Sequence, residues 1–148
     1  FGAADIDNNS SPEILFQHIE GHLAAWTMDG TNFVRSQFLN GAKPISGLQA
    51  IAAMDFDGDQ AVDILFQNSS RQLIVSRGSE PSLQSRFQTF DKLKNGILMG
   101  TGWQVGSVVP RLLDDGSTGI LFQNSDGRVA VWRMHGLSHI STVVLKDD

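Results

Sequence analysis

Between Asp55 and Asp63 the chain reads Asp-Phe-Asp-Gly-Asp-Gln-Ala-Val-Asp, with carboxylates at the first, third, fifth and ninth positions. This spacing suits a hard divalent cation. Calcium takes roughly six to eight oxygens at about 2.3–2.6 Å, and alternate side chains of a tight turn converge on one point. Asp55, Asp57, Asp59 and Asp63 would supply carboxylates and Ala61 a backbone carbonyl. Without a cation, four carboxylates and no neighbouring Lys repel one another. The plainer alternative is an Asx-rich turn whose charges are solvated. An EF-hand is excluded, because Gln60 stands where that loop requires Gly and Phe66 where it requires Glu.

Two related loops lie elsewhere in the chain. Asp5, Asp7, Asn9 and Glu13, with Ser11 as the carbonyl donor, repeat the pattern with one charge fewer and predict a weaker site. The third loop holds Arg111, Leu113, Asp115 and Gly119 at those positions, a set that cannot bind a divalent cation. There Arg111 is expected to bring its own positive charge to the vacated position.

The loops are positioned by a repeat. Each one runs into Ile-Leu-Phe-Gln, at Ile14–Gln17, Ile64–Gln67 and Ile120–Gln123, with loop ends Glu13, Asp63 and Gly119 spaced 50 and 56 residues apart. That period fits a small all-β unit. Gly21 then matches Gly127, Ala24 matches Ala130, Trp26 matches Trp132, Met28 matches Met134 and Gly30 matches Gly136. The middle unit has drifted, with Ser76 and Gly78 in place of Trp and Met.

Short apolar runs on either side of Asn68-Ser69-Ser70-Arg71 predict two strands joined by a hairpin turn, and the other units share this layout. Further strands are predicted over Gln49–Met54 and Gln104–Val109 ahead of the loops, and over Asn32–Leu39 and His139–Leu145 at the outside. This makes four strands per unit and requires no helix. Alternation places Ala130, Trp132 and Met134 on one strand face and Val129 and Val131 on the other. Both faces are apolar, so the strand suits a sheet stacked between neighbours. The units are expected at 1–46, 47–101 and 102–148 within one structural domain, with a loop insertion in the second at about 79–101.

With 148 residues, 41% hydrophobic and 18% charged, the chain has the composition of an ordinary soluble protein. It contains no apolar run long enough for a membrane span. The formal charge of −5 argues against nucleic acid as the main partner. There is no cysteine, so disulfides and thiolate metal sites are excluded. Catalysis finds little support, since no nucleophile elbow and no triad spacing is present. His18 and His22, like His135 and His139, are four apart, but on strands and turns that spacing makes no zinc site. Trp26, Trp103 and Trp132 could stack on sugar rings in grooves between sheets, although alternation favours the core for Trp26 and Trp132. Gln17, Gln67 and Gln123 could read the same ligand, but at strand ends they are better suited to satisfying backbone groups.

The Asp-rich loop leading into Asp-Ile-Leu-Phe-Gln, then Gly-x-Val-Ala-x-Trp-x-Met-x-Gly, then Gly-Trp-Gln, resembles the bacterial FG-GAP/VCBS repeats over nearly the whole chain. In that family each repeat is a blade of four antiparallel strands in a β-propeller, and the loop between the first two strands binds calcium. The resemblance implies Ca2+ at Asp55, Asp57, Asp59, Ala61 and Asp63, and at Asp5, Asp7, Asn9, Ser11 and Glu13. The third loop inherits no ligand role. The resemblance also implies a non-catalytic, secreted or cell-surface module for adhesion to an extracellular protein or glycan ligand, with no membrane insertion. A lectin with sugar sites between blades and an accessory domain of a secreted hydrolase are the alternatives.

Closed propellers have about four to eight blades. Three repeats therefore predict a partial propeller completed by the remainder of a longer chain, or a half-ring that closes as a six-bladed homodimer. The fold alternative is a β-trefoil.

Overall fold

The computed structural model describes residues 1–78, 89–93 and 100–145. Twelve strands form three four-stranded antiparallel sheets, so the protein is all-β with a threefold repeat. The first sheet contains β1 (Gly2–Ala4), β2 (Glu13–Gln17), β3 (Leu23–Asp29) and β4 (Asn32–Phe38). The second contains β5 (Leu48–Met54), β6 (Asp63–Asn68), β7 (Leu73–Ser76) and β8 (Phe90–Lys92). The third contains β9 (Trp103–Val109), β10 (Thr118–Asn124), β11 (Val129–His135) and β12 (Ser138–Leu145). In each sheet, strands adjacent in sequence are adjacent in space. The Asp-rich loops join the first strand of each sheet to the second.

The repeat extends to irregularities in pairing. The register of β3 on β4 shifts between Thr27 and Met28, and that of β11 on β12 shifts between Arg133 and Met134. These are equivalent places. One extra residue there bends the strand and raises its twist. Of the predicted insertion, Phe90–Lys92 forms the outer strand of the second sheet, and the segments 79–88 and 94–99 lie outside the described residues.

The expectation of no helix needs one correction. Asn40–Ala42 makes a single 3-10 turn, with Ala42 N–H donating to the Leu39 carbonyl and Lys43 N–H to that of Asn40. The buried Leu39 and Ile45 on either side anchor it. Ile45 N–H then reaches the Gly21 carbonyl at 2.9 Å, where a Cβ on Gly21 would lie 2.7 Å from the Ile45 oxygen. Only glycine admits this approach.

Two cores hold the sheets together. Leu15, Leu23 and Ala25 of the first sheet pack against Ile64, Phe66 and Ile74 of the second. The opposite face of the second sheet, with Leu65, Leu73 and Val75, packs against Ile120, Phe122 and Trp132 of the third. Cover on both faces therefore holds for the second sheet, where all of β7 is buried. The first sheet buries one face, and the third buries one face fully and on the other Val131, with Val129 half-buried. Among the described residues no core joins the first sheet to the third.

Their inner strands lie side by side, β1 against β5 and β5 against β9. The Gln17 side chain crosses from the first sheet to the second. Its Nε2 donates to the Leu48 carbonyl at 2.8 Å, and its Oε1 accepts from Ala50 N–H at 2.7 Å.

Candidate metal centres

In the second loop, oxygens of Asp55, Asp57 and Asp59 lie within 4.8 Å of one another. The backbone fixes them there. Asp55 accepts N–H bonds from Gly58 at 2.6 Å and Gln60 at 3.0 Å, and Asp59 accepts from Ala61 at 2.8 Å. Gly58 and Gln60 have φ of 87° and 72°, and the first loop shows the same handedness at Asn8 and Ser10. Left-handed backbone is costly for Gln and Ser, so the carboxylate bonds to these turns must offset it.

Asp63 sits apart from the three, fully buried at the base of the loop. Its Oδ2 accepts from Phe56 N–H and its Oδ1 from Gly78 N–H, both at 2.8 Å. Asp63 therefore ties the start of the loop to the end of β7. A Cβ on Gly78 would lie 2.4 Å from the Val62 carbonyl oxygen, so this approach requires glycine. Burial pushes the Asp63 carboxyl up to about 6 against the pull of its two backbone bonds, with repulsion from Asp57 and Asp59 adding to it. Ala61, the expected carbonyl donor, is buried beside it.

The first loop brings Asp5, Asp7 and Glu13 within the same 4.8 Å. Asp5 accepts from Asn9 and Ser10 N–H, and Asn9 turns its side-chain oxygen to Ser11 N–H at 2.8 Å. Glu13 is fully buried, and its Oε2 accepts from Ile6 N–H at 3.1 Å. Glu13 Oε1 and Asp7 Oδ1 are buried without a hydrogen-bond partner among the described residues. Burying a carboxylate oxygen unpaired is costly, and a cation among these groups would satisfy both. The donor set therefore fits a hard, oxygen-seeking metal. Burial also raises the Glu13 carboxyl above its usual range, more than the Ile6 N–H lowers it, with Asp7 and Asp5 adding to the rise.

The two loops differ in nearby positive charge. Arg35 of β4 reaches Asp7 at 3.3 Å, whereas among the described residues Asp55, Asp57, Asp59 and Asp63 form no ion pair.

The third loop keeps the turn and discards the site. Asp115 accepts from Ser117 N–H at 3.1 Å, the bond that Asn9 and Asp59 make in their own loops. Gly119 replaces the buried carboxylate. A Cβ there would lie 2.2 Å from Leu112, whose side chain takes the space. The cation that pairs with this loop is Arg133 of β11, which meets Asp115 and donates to Ser117 Oγ at 3.2 Å, whereas Arg111 forms no ion pair among the described residues. The Ser117 hydroxyl and Arg133 hold the Asp115 carboxyl well below the usual carboxylate range.

Sequence reasoning missed Arg133, Arg35 and Gly78. A signal for the first existed, since Arg133 replaces Thr27 in the one unit whose loop loses three carboxylate positions. Arg77 occupies the equivalent place in the second unit but pairs with Asp91 of β8 at 2.8 Å.

The remaining candidates are scattered. Trp132 is 1% exposed and offers no surface to a ligand, whereas Trp26 is 41% exposed. Trp103 is half-buried, with the Arg128 guanidinium 5.7 Å above its ring. Gln17 binds β5, Gln67 donates to the Arg71 carbonyl at 3.3 Å, and Gln123 is exposed. His18 and His22 serve turns, with His22 Nδ1 2.8 Å from the Ala42 carbonyl.

None of the protein-family models, curated proteins or solved structures compared with the chain matches it.

Proposed function

We propose that the protein is a non-catalytic, calcium-binding repeat module of FG-GAP/VCBS type, whose sheets are blades of a β-propeller and which binds an extracellular protein ligand. The observation that carries this reading is the second loop. Three carboxylates are held within 4.8 Å of one another by backbone bonds, with no ion-pair partner among the described residues. The buried, unpaired oxygens of Glu13 and Asp7 support a second site in the first loop.

Asp55, Asp57 and Asp59 would hold one ion, and Asp5, Asp7 and Glu13 the other. Asp63 braces the loop from below. Calcium would supply charge neutralisation, with affinity in the weak range of extracellular modules, about 10⁻⁴–10⁻³ M. Its role is structural, because the sites lie between the first and second strands of their sheets and stiffen that connection.

A thermal melt in calcium, in magnesium and in excess chelator tests this. At calcium about 100-fold above the dissociation constant, each site adds ~2.7 kcal/mol. For a domain of this size that raises the midpoint by several degrees. Equal midpoints in calcium and chelator would reduce the loops to solvated turns and remove the basis of the proposal.

A further inference from the structure

The three sheets are built alike and face the same way. Ile64 and Phe66 of the second sheet point toward the first sheet, and Ile120, Phe122 and Trp132 of the third point toward the second. The equivalent residues of the first sheet are Ile14, Phe16 and Trp26, and among the described residues no further sheet packs on them. They are 37–41% exposed, whereas their five counterparts are at most 4% exposed.

The uncovered face already has the shape of the buried one. Phe16 and Trp26 have ring centroids 4.5 Å apart at 49°, against 4.8 Å and 53° for Phe122 and Trp132. Trp26 meets Phe33 edge-on at 5.4 Å and 74°, and Trp132 meets His139 at 5.2 Å and 74°. Phe33 and His139 are equivalent in the repeat. The first sheet therefore presents a preformed copy of a surface that, in the third sheet, packs on Leu65, Leu73 and Val75.

The matching half is at the other end of the molecule. Leu121, Val129 and Val131 are the third-sheet counterparts of Leu65, Leu73 and Val75; Leu121 and Val129 are half-buried and Val131 is 8% exposed, so the open part of this face lies on β12. Val143 and Leu145 pair in register with Val131 and Val129, extend the same face, and are half exposed. Exposed apolar patches of this extent are uncommon on monomers and mark association surfaces.

We propose that the outer face of the first sheet docks on the outer face of the third sheet of a second copy of this chain, head to tail, as the sheets stack within one chain. Each copy carries both halves. The contact is heterologous and either closes as a ring or continues as a filament. The partner's chemistry is set by the two internal junctions, where this aromatic face meets an aliphatic one of Leu and Val.

Light scattering on the 148-residue chain over a broad concentration range tests the proposal. The expected mass is twice 16.1 kDa or a larger multiple. Trp26→Glu and Val143→Glu alter exposed side chains on opposite ends, so both variants should keep the wild-type circular dichroism. Each should weaken association at least tenfold. Mixing the two restores a two-copy species, because one intact pair of faces remains between them. A wild type that stays at the single-chain mass throughout overturns the proposal. So does a dimer that survives Val143→Glu but not Trp26→Glu, which would pair two first-sheet faces with each other.

Discussion

The second and third loops occupy the same place in their sheets and share a turn, yet they handle charge in opposite ways. Asp59 and Asp115 each accept the N–H two residues on, so one Asx side chain is enough to set the turn. Around Asp115 the protein places its own cation, Arg133, and fills the vacated carboxylate position with Leu112. Around Asp59 it adds Asp55 and Asp57, and the equivalent Arg77 is paired with Asp91 instead. The turn is structural in both loops. Of these two loops, the one with the extra negative charge is the one whose carboxylates form no ion pair among the described residues.

Removing Asp63 should produce the largest effect. Asp63→Ala leaves the buried N–H groups of Phe56 and Gly78 without an acceptor, a loss of about 1–3 kcal/mol for each. A lower urea midpoint, measured at fixed calcium, checks this. Gly119→Asp should not repair the third loop by analogy, since its Cβ would strike Leu112. An unchanged midpoint for Asp63→Ala would show that the brace contributes nothing.

A smaller and more diagnostic effect is expected at the ion. The combined change Asp55→Asn, Asp57→Asn and Asp59→Asn keeps the acceptors that shape the turn, as Asn9 does in the first loop. In excess chelator the variant should melt above wild type, because three close carboxylates no longer repel. Calcium at 100-fold excess over its dissociation constant adds ~2.7 kcal/mol to wild type at this site and nothing to the variant, so the order should reverse in calcium, by that amount less the variant's advantage in chelator. The same order in both buffers would remove the distinction between the two loops.

The smallest effect concerns the internal cation. Asp115 is held below its usual value of 3.8 in the folded state, so its ionised form favours folding. That contribution is fully present above the unfolded value and is lost as pH falls through the lower folded one. The stability difference between wild type and Asp115→Asn should therefore be constant near neutrality and shrink in acid. Because Asp115 is exposed, solvent screening keeps it small. Urea midpoints across the pH range would reveal it, and a difference that grows in acid would contradict the sign.

How much was legible follows from distance along the chain. Ile-Leu-Phe-Gln and its hairpin partners are local, and their alternation placed the strands and the loops between them. The carboxylates of the second loop lie within nine residues, and the turn that gathers them is equally local. Arg133 reaches Asp115 across 18 residues and Gly78 reaches Asp63 across 15, through pairings between strands that spacing alone does not show. Cover on both faces was read from β11, where Val131 is buried opposite Ala130 and Trp132 but Val129 is half-buried; it is complete in β7, because among the described residues the middle sheet packs on a sheet at either side.

The Gln17 bridge bears on solubility. Leu48 C=O and Ala50 N–H point away from β6, and such a row of free groups is where an extended chain from another molecule can add. The Gln17 carboxamide pairs with both as a peptide group would, at 2.8 and 2.7 Å. One side chain thus occupies the site of an aggregating strand. Gln67 instead turns to its own hairpin, and among the described residues it makes no such bridge to β9.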